Sequence, residues 1–357
     1  MGPRPVATAS LRRVLVRLPN WVGDVCFAAP TLVALARAAP QASFVLCGRA
    51  GLEPAAAWFP RVSAFVPVDS DGGLGAARRT ARTLSDLALD AALIIPRSLR
   101  ASLAPALARI PVRVGFAAQG RSFLLTHPVR GWKPLRLAHR SAYVAALLAP
   151  FGVPAPSEPF ALEVPADALA WADRWLAAQP GRRPGRPVVA FEPGGAYGIA
   201  KRWDERRYAE LARRIVTDGT ADVVLIGTAD AAPLHDRIVA AAGEAGGRLV
   251  RAAGVTDLSQ LAALLARASL LVTNDTGPLH VAAAVGTRVL ALFGSTDPAV
   301  CGPRGNGPMQ VLYERVACAP CYLKECPVAG HPCLDRFDVD RVEAVARAML
   351  SRAGART

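Results

Sequence analysis

The sequence predicts an α/β protein made of two doubly wound parallel sheets, each covered by helices on both faces. Short apolar runs alternate with Ala-, Leu- and Arg-rich stretches of helical periodicity along all 357 residues. The apolar runs show little polar alternation, which is typical of strands buried on both faces. A single region rich in Pro and Gly interrupts the pattern near the middle of the chain. A chain of this length is long for one hydrophobic core and suits two domains.

The predicted strands are short and apolar. The clearest helix is 205–216, whose apolar residues recur at helical spacing. Asp204 is suited to cap the N-terminus of this helix, and Gly219 follows its C-terminus. The strands are predicted at 13–18, 43–48, 91–96, 112–116, 187–193, 222–227, 270–275 and 288–294.

The domain boundary is predicted within 150–187, where Pro and Gly are dense enough to break both strands and helices. We expect an N-terminal domain at 1–165, a linker region at 166–186 and a C-terminal domain at 187–357. The last helix is a candidate for packing back on the first domain. Ligands of such sheets bind beyond the carboxyl ends of the strands, so the cleft between the domains is the expected site.

Composition limits the class of protein further. Lys and Arg exceed Asp and Glu by 14, which favours anionic partners such as phosphorylated substrates or a membrane surface. The basic residues are scattered, and no nucleic-acid-binding motif is present, so we expect no nucleic acid partner. No apolar run reaches the ~18–20 residues that a membrane span needs. The N-terminal stretch lacks the apolar core of a signal peptide, which predicts a cytoplasmic protein.

A carboxylate follows the first predicted strand, in the stretch LPNWVGD (18–24). Gly23 permits a tight turn, and Asp24 falls near a helix start. This Asp is either a helix cap or a functional carboxylate.

A Gly-rich segment, EPGGAYGIAKRW (192–203), follows the strand that opens the second domain. Gly194 and Gly195 leave backbone N–H groups free to contact phosphate, and Lys201 with Arg202 adds positive charge. The segment matches neither the P-loop nor the dinucleotide-binding fingerprint. The alternative is a solvated loop before a helix.

The most specific motif is TNDTGPLHVAAAVG (273–286). Its strand ends in Asn274 and Asp275, Thr276 or Gly277 can cap the following helix, and the first turn of that helix forms an anion site. His280 lies in this turn and is either a phosphate ligand or an ordinary packed histidine. A further strand end, FGSTDP (293–298), is expected to line the same pocket.

Together these loops predict a diphosphate site in one domain and a carboxylate in the other. That arrangement suits transfer from a nucleotide-activated donor, because the leaving diphosphate needs N–H donors and positive charge. The attacking hydroxyl needs a base, and Asp24 is the candidate. A diphosphate held by helix ends and Lys201 requires no divalent metal.

Two further motifs are weighed for metal binding. Four cysteines give the spacing C-x2-C-x4-C-x6-C with His331 nearby, which leaves a structural zinc or iron–sulfur cluster and free structural thiols as alternatives. DSD (69–71) is interpreted as a solvated turn rather than a metal motif. The cysteines concerned are Cys318, Cys321, Cys326 and Cys333.

The chain resembles glycosyltransferase family nine, the bacterial ADP-heptose:lipopolysaccharide heptosyltransferases. LPNWVGD, PGGAYGIAKRW, NDTGPLHVAAA and LFGSTDP look like blocks of that family in the right order. The form of these blocks is more similar to the type that adds the second heptose of the inner core. The resemblance implies a GT-B fold, with an acceptor-binding N-terminal domain and a donor-binding C-terminal domain.

The resemblance also implies an activity and its residues: transfer of heptose with inversion and without metal, Asp24 as the base and Lys201 as a second catalytic residue. It implies ADP-heptose as donor, a lipid A–Kdo–heptose acceptor, and transient contact with the cytoplasmic face of the inner membrane. Acceptor-binding positions are Gly23, Ser98 and Arg100. Donor-binding positions are Gly194, Gly195, Lys201, Asp230, Asp275, Thr276, Gly277 and His280. The alternatives are a relative with another nucleotide sugar or acceptor, and a non-catalytic ADP-binding homologue.

Overall fold

The computed structural model describes residues 4–69, 72–195 and 197–351. The chain forms two compact units, Met1–Phe160 and Ala161–Thr357. Within the described residues each unit contains one six-stranded sheet. The strands are β1 Arg13–Arg17, β2 Ser43–Gly48, β3 Val62–Pro67, β4 Ala91–Ile94, β5 Val112–Phe116, β6 His127–Val129, β7 Val188–Glu192, β8 Asp222–Gly227, β9 Val250–Ala253, β10 Leu270–Asn274, β11 Val289–Phe293 and β12 Met309–Tyr313.

The α-helices alternate with these strands, and short 3-10 turns fill several connections. The helices are α1 Val22–Ala38, α2 Leu74–Ser85, α3 Leu99–Leu107, α4 Arg140–Ala145, α5 Ala166–Ala177, α6 Glu205–Thr217, α7 Ala232–Ala241, α8 Leu258–Arg267, α9 Gly277–Val285, α10 Pro298–Cys301, α11 Pro332–Asp335 and α12 Val339–Ser351. In the described ranges, none of these combines the length and apolar character that crossing a membrane requires.

The two sheets share one topology. The first has the order β3-β2-β1-β4-β5-β6 and the second the order β12-β11-β10-β7-β8-β9, with parallel pairing between neighbours. In each sheet the strand order reverses at one central pair, β1/β4 in the first and β7/β10 in the second. Such a reversal opens a crevice at the carboxyl ends of the pair, where ligands of doubly wound sheets bind. The predicted α/β class with two doubly wound sheets is therefore confirmed.

The eight predicted strands are the eight interior strands of the two sheets, and the four strands that the prediction missed are the edge strands β3, β6, β9 and β12. Interior strands such as β4 and β10 are buried at every residue. The edge strands contain exposed and half-buried residues, as in β12. Because an edge strand has neighbours on one side only, it carries fewer apolar residues, and its sequence gives a weaker signal.

The boundary between the units lies at 160/161 and thus precedes the predicted end of the N-terminal domain. The predicted linker contains α5, which packs through Ala168 and Ala172 against Ala263 of α8 in the second unit. The Pro- and Gly-rich segments flank this helix and do not interrupt it. The last helix, α12, contributes Val342 and Ala346 to the core of the second unit.

The helix α6 confirms the prediction at 205–216. The Asp204 side chain accepts a hydrogen bond from the Arg206 backbone N–H at 2.7 Å, which satisfies a donor of the first turn. Gly219 has a φ of +78°, which a glycine adopts without strain just after the helix end. Tyr208 on its buried face packs against Phe191 of β7, and this contact fixes the helix beside the Gly-rich segment.

Candidate functional site

The Gly-rich segment leaves β7 in a conformation that requires glycine. Gly195 has a φ of +147°, a region that side chains strongly disfavour. A Cβ on Gly198 would lie 2.3 Å from the carbonyl oxygen of Lys324, so this position also excludes a side chain. The segment then closes with Lys201 and Arg202 before Trp203 enters the core. Its backbone can therefore approach a ligand closely at Gly194 and Gly195.

Lys201 and Asp275, predicted separately from two motifs, meet in the second unit. The Lys201 Nζ lies 2.6 Å from the Asp275 Oδ2. The same Oδ2 accepts a hydrogen bond at 2.7 Å from the Thr296 hydroxyl, which lies in the predicted fourth loop. The centroid of the Tyr197 ring lies 5.2 Å from the Lys201 Nζ. Three loops that follow β7, β10 and β11 thus converge on one charged pair.

The helix α9 begins at this pair. Thr276 is its extended N-cap residue, Gly277 is its first residue, and Pro278 occupies the first turn, where the missing N–H has no helical partner to bond. His280 lies in the same turn and is buried. The free N–H groups of the turn and the helix dipole favour an anion at this end.

Asn274 joins the Gly-rich segment to the end of β10, and the sequence analysis noted it only as a polar strand end, without a role. Its Oδ1 accepts from the backbone N–H of Trp203 at 3.0 Å and from the Tyr208 hydroxyl at 3.2 Å. Its Nδ2 donates to the carbonyl oxygens of Pro193 and Gly194, both at 3.0 Å. The side chain is fully buried. A polar residue at the end of an apolar strand was the available signal.

Two buried donors in this region have no hydrogen-bond partner among the described residues, the Nε of Arg202 and the Oγ of Ser295. A buried donor without a partner destabilises a fold unless a water or ligand satisfies it. Both residues belong to segments that were predicted to contact the nucleotide-activated substrate. The sequence analysis named Ser295 only as part of its loop. Both remain available as hydrogen-bond donors.

Glu192 is a third residue that the sequence analysis left unassigned. It is the last residue of β7 and is 5% exposed. Burial raises the pKa of its carboxyl to about 7, and hydrogen bonds from Thr276, Thr273 and Gly194 oppose that rise. The signal in the sequence was a carboxylate that ends a buried strand directly before Pro-Gly-Gly.

Asp230 follows β8, the strand that neighbours β7. It sits on the exposed 3-10 turn Ala229–Ala231 after β8. Its described contacts do not connect it with Lys201 or Asp275. Because β8 pairs in parallel with β7, this turn and the Gly-rich segment both lie at the carboxyl ends of the strands. Its assignment to donor binding stays a prediction.

In the first unit, Gly23 and Asp24 belong to the first turn of α1. Gly23 is buried and Asp24 is half-buried. The helix dipole stabilises a carboxylate at this end, and the charge of Asp24 acts on its neighbour, since burial and Asp24 together raise the pKa of Cys26 to about 12. This helix starts directly after β1, one of the two strands at the reversal of the sheet.

Ser98 and Arg100 follow β4, the other strand of that reversal. The Ser98 hydroxyl caps α3 by accepting from the Ala101 N–H at 3.3 Å, and Arg100 is exposed on the first turn. Both residues line a pocket that Arg17 and Asn20 also line. Arg17 is buried, and its guanidinium donates to the carbonyl oxygen of Leu18. The sequence analysis missed Arg17, because it reads as part of an apolar strand.

The four cysteines do not form a metal site as they stand. Cys333 is buried, Cys318 is exposed, and the other two are half-buried. Within the described ranges, no group of three or more His, Cys, Asp or Glu side chains is arranged to hold a metal ion. A structural metal stays a prediction from spacing. In the DSD motif, Asp69 accepts from the Gly72 N–H at 2.8 Å, as in a turn, whereas Ser70 and Asp71 lie outside the described residues.

A family model decides the assignment of the chain. The model of glycosyltransferase family 9 (heptosyltransferase) matches residues 77–331, more than half of the sequence. The chain belongs to this family. It is therefore a glycosyltransferase, and the resemblance drawn from its motifs is confirmed.

Individual relatives in the family agree with this assignment. The chain is 31% identical over 301 residues to lipopolysaccharide heptosyltransferase 2 of Salmonella typhimurium, covering 80% of this chain and 84% of that protein. It is 27% identical over 330 residues to lipopolysaccharide heptosyltransferase 1 of Pseudomonas aeruginosa, covering 88% and 87%. The solved structure of E. coli ADP-heptose LPS heptosyltransferase II matches with a TM-score of 0.82 and 27% identity, covering 96% and 100%. The GT-B type of fold is thereby confirmed.

Proposed function

We propose that the protein is an inverting heptosyltransferase that moves heptose from ADP-heptose to the heptose/Kdo inner core of lipopolysaccharide, where it adds the second heptose. The names of its relatives support this donor and this acceptor. The motif forms that resemble the second-heptose type, and the relatives named heptosyltransferase 2, support the step.

The convergence of the Lys201–Asp275 pair on the start of α9 carries the proposal. A nucleoside diphosphate needs a cation and several N–H or O–H donors. In the proposed site these are Lys201, the Arg202 Nε, the Ser295 hydroxyl and the first-turn N–H groups of α9. Gly194 and Gly195 give the diphosphate close access to the backbone, and His280 is the proposed hydrogen-bond donor from within α9.

The proposed reaction is a single displacement. Asp24 accepts the proton of the acceptor hydroxyl as that oxygen forms its bond to the anomeric carbon of the heptose. The bond from this carbon to the diphosphate oxygen breaks, and ADP leaves with the bonding electron pair. Lys201 and the N–H groups stabilise the charge that develops on ADP, as a divalent cation does in other transferases. One displacement inverts the anomeric configuration, and the step requires no metal.

The acceptor is proposed to bind at the pocket that Ser98 and Arg100 line, and Gly23 is a further proposed acceptor-binding residue. Its Kdo carboxylates and phosphates are anionic, and the net charge of +14 favours them. Because such an acceptor is anchored by lipid, we propose that the protein works in transient contact with the anionic cytoplasmic face of the inner membrane.

The test is a transfer assay with defined acceptors. The protein is incubated with ADP-heptose and with lipid A–Kdo acceptors that carry no heptose or one heptose, and product masses are read. We expect one added heptose on the acceptor that already carries one. Transfer only to the heptose-free acceptor would contradict the proposed step. ADP binding without any transfer would favour a non-catalytic homologue, and transfer from another nucleotide sugar alone would change the donor.

A further inference from the structure

The carboxyl of Glu192 is buried beneath the proposed diphosphate site. The residue ends β7, is 5% exposed and precedes the Gly-rich segment. In the described part of the chain it forms no ion pair, although a buried carboxylate without one is strongly disfavoured. Other groups around the carboxyl must therefore compensate for its burial.

The hydrogen bonds of Glu192 come from the groups that would hold an anion. Its carboxyl accepts from the Gly194 N–H and from the Thr276 hydroxyl. A Cβ on Gly194 would lie 3.0 Å from the Glu192 Oε1, so the carboxyl lies directly against the Gly-rich backbone. The Thr273 Oγ1 lies 3.5 Å from the Glu192 Oε2 and 3.1 Å from the Thr276 Oγ1. The carboxyl thus contacts both the Gly-rich turn and the cap of α9.

The surrounding charges leave little positive charge for a ligand when Glu192 is ionised. Lys201 is paired with Asp275 beside Thr276 in the chain. Arg202, from the Gly-rich segment, is the cation whose charge acts on Glu192. These four side chains sum to zero with Glu192 ionised and to +1 with it protonated.

Two further titratable groups face this region from the neighbouring helices. Tyr208 of α6 is buried, and burial together with the charge of Glu192 raises the pKa of its hydroxyl, so it stays neutral. His280 lies in the first turn of α9. A pH-dependent measurement on Glu192 must therefore be separated from His280.

We infer that Glu192 is the proton-linked residue of the diphosphate site: its carboxylate uses the Gly194 and Thr276 donors while the site is empty, and it takes up one proton from solvent when a nucleoside diphosphate binds. The inference rests on the proposed function, which puts the diphosphate at these turns. Two anions in one buried region repel each other, and protonation of the carboxyl removes that repulsion. Burial already raises the pKa of Glu192 to about 7, so the empty site holds both forms near neutral pH.

Calorimetric titration with ADP tests the inference directly. At pH 7.5, binding is measured in two buffers of different ionisation enthalpy, for the wild type and for Glu192→Gln. With a pKa near 7, roughly three-quarters of Glu192 is ionised at this pH, so the wild type takes up about 0.7 protons more than the variant. At pH 6.0 the difference falls to about 0.1 proton. The ionisation of ADP itself is common to both proteins and cancels.

Affinity gives a second measurement of the same linkage. The wild type is expected to bind ADP about tenfold more weakly at pH 8.0 than at pH 6.5, relative to Glu192→Gln measured at the same two values. The variant keeps an amide that can occupy the same space. Melting temperatures of both proteins verify that each is folded.

Two control variants separate Glu192 from other groups. Glu244→Gln removes an exposed carboxylate of the same unit and should retain the wild-type proton uptake. In a His280→Gln background, where ADP is expected to bind more weakly, adding Glu192→Gln should still remove about 0.7 protons of uptake at pH 7.5. If ADP binds the wild type and Glu192→Gln with equal proton uptake at pH 7.5, the inference is wrong while the donor site stands. If the folded wild type does not bind ADP at all, both are wrong. If Glu192→Gln does not fold, the wild type alone decides: ADP is already mostly ionised at pH 7.5, so a net proton uptake at or below zero at this pH overturns the inference.

Discussion

The Lys201 ammonium lies 2.6 Å from the Asp275 carboxylate and thereby joins the Gly-rich segment after β7 to the turn that opens α9. Both partners are largely buried, and Thr296 donates a second hydrogen bond to the same carboxylate oxygen. Removing one partner leaves the other charge buried and unpaired. The pair therefore serves both to hold the two turns together and to keep an ammonium at the proposed diphosphate site.

Lys201→Ala is expected to weaken ADP binding by about 10- to 100-fold, which corresponds to ~1.4–2.8 kcal/mol. It removes the cation and leaves Asp275 as an added negative charge. Calorimetric titration with ADP measures the effect. Lys133→Ala, which removes an exposed lysine of the first unit, is the matched control and should bind ADP as the wild type does. Equal affinity for both variants would remove Lys201 from the donor site.

Asn274→Ala is expected to lower the free energy of unfolding by about 2–4 kcal/mol, because it leaves several buried backbone groups without partners. The Gly-rich turn also loses two of its anchors, at Pro193 and Gly194. Urea unfolding measures the loss, and ADP affinity should fall in the same variant. Asn306→Ala changes an exposed Asn in the same unit and should leave both quantities within error. An Asn274→Ala variant as stable as the wild type would contradict the role of Asn274 in holding the Gly-rich segment.

The raised pKa of Glu192 predicts that the free energy of unfolding depends on pH. Its pKa is raised from 4.5 to about 7 in the folded protein, so the folded state binds the proton more tightly than the unfolded state. Its contribution is complete below pH 4.5 and is lost as the pH rises through 7. Relative to Glu192→Gln, the wild type should lose on the order of 3 kcal/mol between pH 4 and pH 8. Unfolding curves at several pH values measure this difference, and parallel pH profiles would refute it.

Transfer activity is expected to persist in excess EDTA at an unchanged rate. The proposed mechanism assigns the stabilisation of the leaving diphosphate to Lys201 and N–H donors, and it contains no metal step. The rate is measured with and without EDTA, and again after adding Mg²⁺. A loss of rate in EDTA that Mg²⁺ restores would show that a divalent cation takes part.

The sequence predicted the fold well where burial is complete. Every interior strand was identified, because residues such as Val14, Leu15 and Val16 in β1 are buried on both faces. The edge strands escaped, since residues such as Ser63 in β3 and Gln310 in β12 are half-buried or exposed and dilute the apolar pattern. The helix α5 escaped for another reason, because flanking Pro and Gly hid its short apolar face.

For the site, sequence motifs identified the residues whose chemistry stands out at a strand end. Lys201, Asp275 and Thr276 were predicted from two separate motifs, and they do meet. Asn274 and Glu192 act through long-range hydrogen bonds, and their partners are distant in the sequence. Such contacts depend on how β7 and β10 pair, which local patterns do not specify.

The measurement that tests the central claim most directly compares the wild type with Asp24→Asn in transfer from ADP-heptose to the heptose-bearing inner-core acceptor. We predict that the wild type adds the mass of one heptose. Asp24→Asn should lose at least about 1,000-fold in rate, since it has no base for the acceptor proton, while binding ADP with unchanged affinity. Turnover by Asp24→Asn near the wild-type rate, or no added heptose with the wild type, would contradict the account.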